Sequence, residues 1–138
     1  MPELPPGTVL HWRNFLTTQS KYLLVLGTNQ EQVILAFTIT SQDHWLAIHR
    51  SLMIEIPSGS TNFLSKTSYV PCFFPLERIS QTEYEQGKFD GEVTTVGCLR
   101  KSFLAKVRDA VDNDLLEPSD IDDALAVLSK ALCASIAN

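Results

Sequence analysis

The stretch "KYLLVLGTNQEQVILAFTITSQ", residues 21–42, leaves a chain few ways to fold. Two runs of branched and large apolar residues, 21–26 and 33–40, flank the polar break "GTNQEQ". Gly27 and Asn29 supply turn residues, so the pair predicts two strands joined by a short connection. Residues 23–26 are continuously apolar, which predicts burial on both faces or a strand that curls into a barrel. Lys21 opens the first run, and Thr40 and Ser41 close the second. The same two ends therefore raise a chemical question: a lysine and hydroxyls at one end of a hairpin can hold a phosphate.

Three more strands are expected around this pair. "GTVLHW" (7–12) reads as a first strand after a proline-rich lead, and "LMIEIP" (52–57) as a fourth, stopped by Pro57 and "SGS". "TSYVPCFF" (67–74) reads as a fifth. Pro71 cannot donate to a ladder, so this strand is expected at an edge or with a bulge. The texture then changes. Ser80 and Glu83 have capping-box spacing for a short helix. Leu99, Phe103, Val107, Ala110 and Val111 fall on one face of a period of 3.6. A last helix is expected with Ser119 as its cap, Asp120, Asp122 and Asp123 in its first turn, and Ile121, Leu125, Leu128 and Leu132 as its apolar face.

Strands followed by helices predict an α+β chain: a small SH3-like β-barrel of about five short strands, then C-terminal helices. With 138 residues, 44% of them hydrophobic, one domain over 1–138 is expected, the barrel at about 7–75 and the helical part at about 80–138. No apolar run reaches the roughly 18 residues of a membrane span. Cys72, Cys98 and Cys133 are scattered and odd in number, with no CxxC or Cys/His cluster, so neither a structural zinc site nor another metal or cofactor is expected. The N-terminus "MPELPPG" lacks a secretory pattern, and a cytoplasmic setting is the expectation. The formal net charge of -5 argues against a broad nucleic-acid surface. Residues 1–70 are balanced, whereas 71–138 hold the acidic excess, so a polyanion site is expected in the first half.

The pieces together resemble the MazF/PemK family of toxins from bacterial toxin–antitoxin systems. The resemblance runs over roughly residues 7–111 through "GTVL", "KYLLVL", "FTITSQ", "MIEIP", "SYVPCFF" and "LERIS", in the family's order and spacing. It implies an SH3-like barrel, a homodimer, a cognate antitoxin, and metal-independent cleavage of single-stranded RNA by attack of a ribose 2′-hydroxyl on the adjacent phosphate. It also implies that Lys21 stands where relatives carry Arg, with Thr40 or Ser41 as polar partner. Lysine keeps the charge but not the planar fork. The preceding loop "HWRNFLTTQS" has no acid, and Pro71-Cys72-Phe73 stands where one branch of the family has an Arg-x-Asp pair.

Around this pair, His44 is a candidate general base, since free imidazole titrates at about pH 6.5. Tyr22 and Trp45 are candidate stacking platforms for bases, and Lys66 and Ser68 candidate phosphate contacts. The alternative is a barrel of the same descent whose catalytic set has eroded, a non-enzymatic module that binds protein or nucleic acid. In that reading Lys21 merely starts a strand in solvent, His44 is a loop residue, and Trp45 and Tyr22 fill a barrel or an interface.

Overall fold

The structure is a computed structural model that describes residues 4–13, 20–42, 45–56 and 67–136, with side chains through Cys133. The predicted hairpin forms β2 (Lys21–Thr28) and β3 (Val33–Ile39). Asn29 makes the turn: its Oδ1 accepts the N–H groups of Glu31 and Val33, each at 2.9 Å, and its own N–H donates to the Val33 carbonyl at 3.0 Å. β1 (Thr8–Trp12) pairs antiparallel with β2. β4 (Met53–Ile56) pairs with β5 (Ser68–Pro71) in a separate two-stranded ribbon. A bridge between Thr40 and Tyr69 ties that ribbon to the end of β3.

Two strands were not expected. β6 (Glu77–Ser80) and β7 (Val93–Cys98) form the two edges of a five-stranded antiparallel sheet of order β6-β3-β2-β1-β7. Their sequences, "ERIS" and "VTTVGC", are short and half polar because edge strands keep one row of side chains in water.

The fully buried Leu23, Leu24, Val25 and Leu26 are covered on both faces of this sheet. One face packs Leu10, Leu23, Val25, Ala36 and Ile79 against Tyr84 of α2 (Gln81–Phe89). The other packs Leu24, Leu26, Leu35 and Phe37 against β4, β5, α3 (Lys101–Val111) and α4 (Pro118–Ile136). A short α1 (Leu46–His49) and a 3-10 turn (Arg50–Leu52) lead into β4.

The helix signals divide. Ser80 caps α2 as its spacing predicts, with both reciprocal bonds of the capping box at 3.1 Å. Ser119 does not cap α4. The helix begins one residue earlier, at Pro118, whose missing N–H suits a first helical position. Asp120 turns inward instead of facing the helix dipole in water. It accepts from the Leu76 N–H at 3.2 Å and from Arg78 at 2.8 Å, while Arg78 also reaches Asp123 at 2.7 Å. These two carboxylates hold the Arg78 guanidinium more firmly charged than usual. This clip pins the start of α4 to β6. Asp120→Asn keeps an acceptor for Leu76 but loses the charge that Arg78 needs. With Asp123 still in place, about 1 kcal/mol should be lost in urea unfolding.

As Pro71 led one to expect, β5 is an outer strand of its two-stranded ribbon, and among the described residues it joins the main sheet only through the Thr40–Tyr69 bridge. β5 lies between β4 and the Thr40 bridge, and Pro71 is its last residue, opposite Met53. The Cys72 N–H donates to the Leu52 carbonyl at 2.8 Å, so the 52–72 pair is hydrogen-bonded and the 53–71 pair next to it is not. The proline therefore removes no bond from this ladder. Tyr69, Val70 and Cys72 are buried within the chain itself, while Phe73 and Phe74 are half-buried.

Burial also pushes the Cys72 thiol up to about 12, whereas Cys98 and Cys133 are exposed. Because thiolate is the reactive form, an aromatic disulfide reagent at neutral pH should titrate Cys98 and Cys133 at once. Cys72 should appear only on unfolding.

Candidate functional site

Lys21 is the first residue of β2 and pairs with Trp12 of β1. The neighbouring pair Tyr22–Ile39 carries the register one step on, so Lys21 stands opposite Thr40. The sequence-predicted pair is thus at one end of the hairpin. Both residues are half-buried, and Ser41 beside them is exposed.

Thr40 is also engaged on its other side. It exchanges two backbone hydrogen bonds with Tyr69, at 2.9 and 2.7 Å, and its hydroxyl accepts the Gln42 N–H at 3.1 Å. That last contact turns the chain out of β3.

Lys21 has an electrostatic neighbour that sequence reasoning missed. Paired residues share a sheet face. Val25 pairs with Ala36, and Ala36 with Glu77, so Lys21 and Glu77 lie on the same face, the one that α2 covers. Burial raises the Glu77 carboxyl above the usual glutamate value, and the Lys21 ammonium partly offsets that rise. The only sequence signal was "LERIS" itself, which reads equally well as an approach to a helix.

The remaining candidates do not all gather at this end. Tyr22 projects from the opposite sheet face, its ring centroid 4.7 Å from that of His11. Trp45 precedes α1 and packs edge-on against Phe73 and Phe74, at 6.0 and 5.0 Å between centroids, with His49 4.8 Å from Phe73. Ser68 is buried in β5, opposite Ile56 and next to Tyr69, the bridge partner of Thr40. His44 and Lys66 lie outside the described residues.

Two hollows of opposite charge flank the sheet. One, of about 510 Å³, lies beside α2 and carries four acids, Glu77, Glu83, Asp90 and Glu92, against the single cation Arg78. The other, of about 590 Å³, runs along all four residues of β4, past Cys98 at the end of β7, to Arg100, Phe103 and Lys106 of α3 and its cap. Among the described residues, none of the sequence-predicted site residues lines this cleft. Its cations belong to the acidic half of the chain, so a charge sum over residues 71–138 hid them. Arg100 caps α3 without a side-chain bond to the helix, and no acid occupies the first turn.

Among the described residues, no group of three or more His, Cys, Asp or Glu side chains is placed to hold a metal ion. Among those residues no helix is long and apolar enough to cross a membrane. No protein-family model matches the chain, and no curated protein matches it either.

Proposed function

We propose that this chain is a divergent MazF/PemK-like protein that binds single-stranded RNA on a partly open SH3-like barrel and cleaves it without metal. The observation that carries this reading is the correspondence between motif and strand. "GTVL", "KYLLVL", "FTITSQ", "MIEIP", "SYVPCFF" and "LERIS" fall in turn on β1, β2, the end of β3, β4, β5 and β6. The bridge from Thr40 to Tyr69, which joins the five-stranded sheet to the β4–β5 ribbon, is the contact through which such a barrel would curl.

In this reading the Lys21 ammonium stabilises charge developing on a phosphate as the neighbouring 2′-hydroxyl attacks. Thr40 or Ser41 orients the phosphate. The same resemblance brings with it a homodimer, a cognate antitoxin and a cytoplasmic setting.

A second reading has specific support. Glu77 draws on the charge of Lys21, and the Thr40 hydroxyl already accepts a hydrogen bond. Both features suit a barrel that binds without catalysing.

Incubating the purified protein with single-stranded RNA in a chelator separates the two. Fragments ending in 2′,3′-cyclic phosphate support the catalytic reading. A stable complex with intact RNA supports the binding module, and neither product nor complex overturns both.

A further inference from the structure

We infer that the hollow beside α2 and the exposed Phe89 at its rim form one docking surface for a basic segment of a partner protein. An arginine of that segment enters the hollow, and a neighbouring apolar residue covers Phe89. This goes beyond the RNA reading and stands or falls separately from it.

Phe89 is 87% exposed, the most of any large apolar side chain among the described residues, and it belongs to neither core cluster. On a helix, residues three and seven positions apart share a side. Gln86 and Thr82 stand three and seven residues before Phe89, and both line the hollow. The ring therefore borders the hollow and not the far side of α2. A single apolar residue in water is ordinary. One that rims a hollow of about 510 Å³ on the same helix gives a partner an aromatic anchor beside a pocket.

Charge selects the occupant. Glu77, Glu83, Asp90 and Glu92 line the hollow, and its one cation, Arg78, is already held by Asp120 at 2.8 Å and Asp123 at 2.7 Å. None of the four acids forms a salt bridge among the described residues. Glu83 accepts the Ser80 N–H at 3.1 Å and Asp90 accepts from Gln86 Nε2 at 3.0 Å, both neutral donors that leave the carboxylate charge unpaired. Outside the lining, Lys21 acts on Glu77, and Arg13 donates to the Gly91 carbonyl at 3.0 Å. The backbone that carries Asp90 and Glu92 is fixed: the Asp90 N–H reaches the Gln86 carbonyl at 2.9 Å, and the Glu92 N–H the Gly87 carbonyl at 2.8 Å. The acids are thus gathered before anything binds, which suits a guanidinium with its several donors. A polynucleotide is repelled by such a lining. A small polyamine would satisfy the acids but leave Phe89 in water. A second copy of this chain would have to offer the cations of α3 to the acids of α2, a head-to-tail contact that does not close about a twofold axis.

The test uses the full chain and fluorescent peptides of arginine with leucine, arginine with serine, and glutamate with leucine, read by anisotropy at low and high salt. The arginine–leucine peptide should bind and weaken with salt. The arginine–serine peptide should bind about fivefold more weakly, for want of an apolar contact, and the glutamate–leucine peptide should not bind. Glu83→Gln with Glu92→Gln keeps shape, and glutamine still completes the capping box. This pair should weaken arginine–leucine binding on the order of tenfold. Phe89→Ser touches neither core cluster. It should bring arginine–leucine binding down to the arginine–serine level and leave the latter unchanged. Circular dichroism of each variant keeps folding separate from binding. Equal binding of the two arginine peptides, or parent-like binding by either variant, would overturn the inference. So would spermine that binds as tightly as the arginine–leucine peptide, or self-association of the parent that Glu83→Gln with Glu92→Gln abolishes.

Discussion

Alanine at position 7 should destabilise the protein by about 3 kcal/mol, enough to move the urea midpoint far below that of the parent while the slope stays unchanged. Two independent effects combine there. Gly7 has φ +93°, a conformation that side chains other than glycine rarely adopt; imposing it typically costs about 1–2 kcal/mol. A Cβ at this position would also stand 2.5 Å from the Leu99 carbonyl oxygen. That oxygen is backbone and cannot swing aside. Moving it would pull on the bonds that lock the crossing, Gly7 N–H to Val25 carbonyl and Leu99 N–H to Gly7 carbonyl, both 2.8 Å. Overpacking of this kind adds about 1–3 kcal/mol. Gly91→Ala is the control. It also has positive φ, +74°, but nothing lies within 4 Å of its added Cβ. It should lose about 1 kcal/mol. Equal losses at the two positions would show that crowding at Leu99 is absent.

Gly7 also marks how far the sequence could be read. As a letter it opened "GTVL", a match to a family pattern. Its reason, the passage of β1's lead under the β7–α3 junction, depends on a contact 92 residues away in sequence, since Cys98 Sγ also approaches the Pro6 carbonyl at 4.0 Å. Features whose cause is local were legible. The Asn29 turn, the Ser80–Glu83 capping box and the Val107, Ala110 and Val111 part of the α3 stripe each depend on neighbours within a few residues, whereas the expected Leu99 precedes the helix and Leu104, not the half-buried Phe103, completes the buried face. Features whose cause is distant were not. β6 and β7 are edge strands defined by their pairing with β3 and β1, and their own residues alternate too weakly to announce a strand. Asp120 pointed to a helix dipole because its partners, Leu76 and Arg78, arrive from 44 and 42 residues away. The same limit applies to the candidate sites. Lys21 and Thr40 could be brought together from one hairpin, whereas Glu77 beside Lys21, and the cleft formed by β4 and α3, need the tertiary fold.

Lys21→Ala should lower RNA cleavage by about 10²–10³, the usual loss when one preorganised partner of a developing charge is removed. The fold should survive, because a half-buried strand-start lysine contributes little packing. Lys21→Arg should match or exceed the parent, since the guanidinium fork fits a phosphate where an ammonium offers only a point charge. Thr40→Val keeps shape and strand propensity but loses both the hydroxyl and its bond to the Gln42 N–H. It should reduce cleavage less than Lys21→Ala, because Ser41 remains beside it. Glu77→Gln supplies the opposite change. With its neighbouring carboxylate neutralised, Lys21 presents its full charge to a ligand, so RNA affinity should rise. Stability moves with it in a defined direction. Burial raises the Glu77 carboxyl in the folded state, so the folded chain holds that proton more tightly than the unfolded chain does. Parent stability therefore falls as pH rises from the ordinary glutamate range through the raised value, and Glu77→Gln should flatten that fall. Parallel measurements of RNA affinity, cleavage and pH-dependent unfolding decide the matter. If Ala and Arg at position 21 both behave as the parent and Glu77→Gln changes only the unfolding profile, Lys21 serves the sheet and not a phosphate, and the binding-module reading replaces the catalytic one.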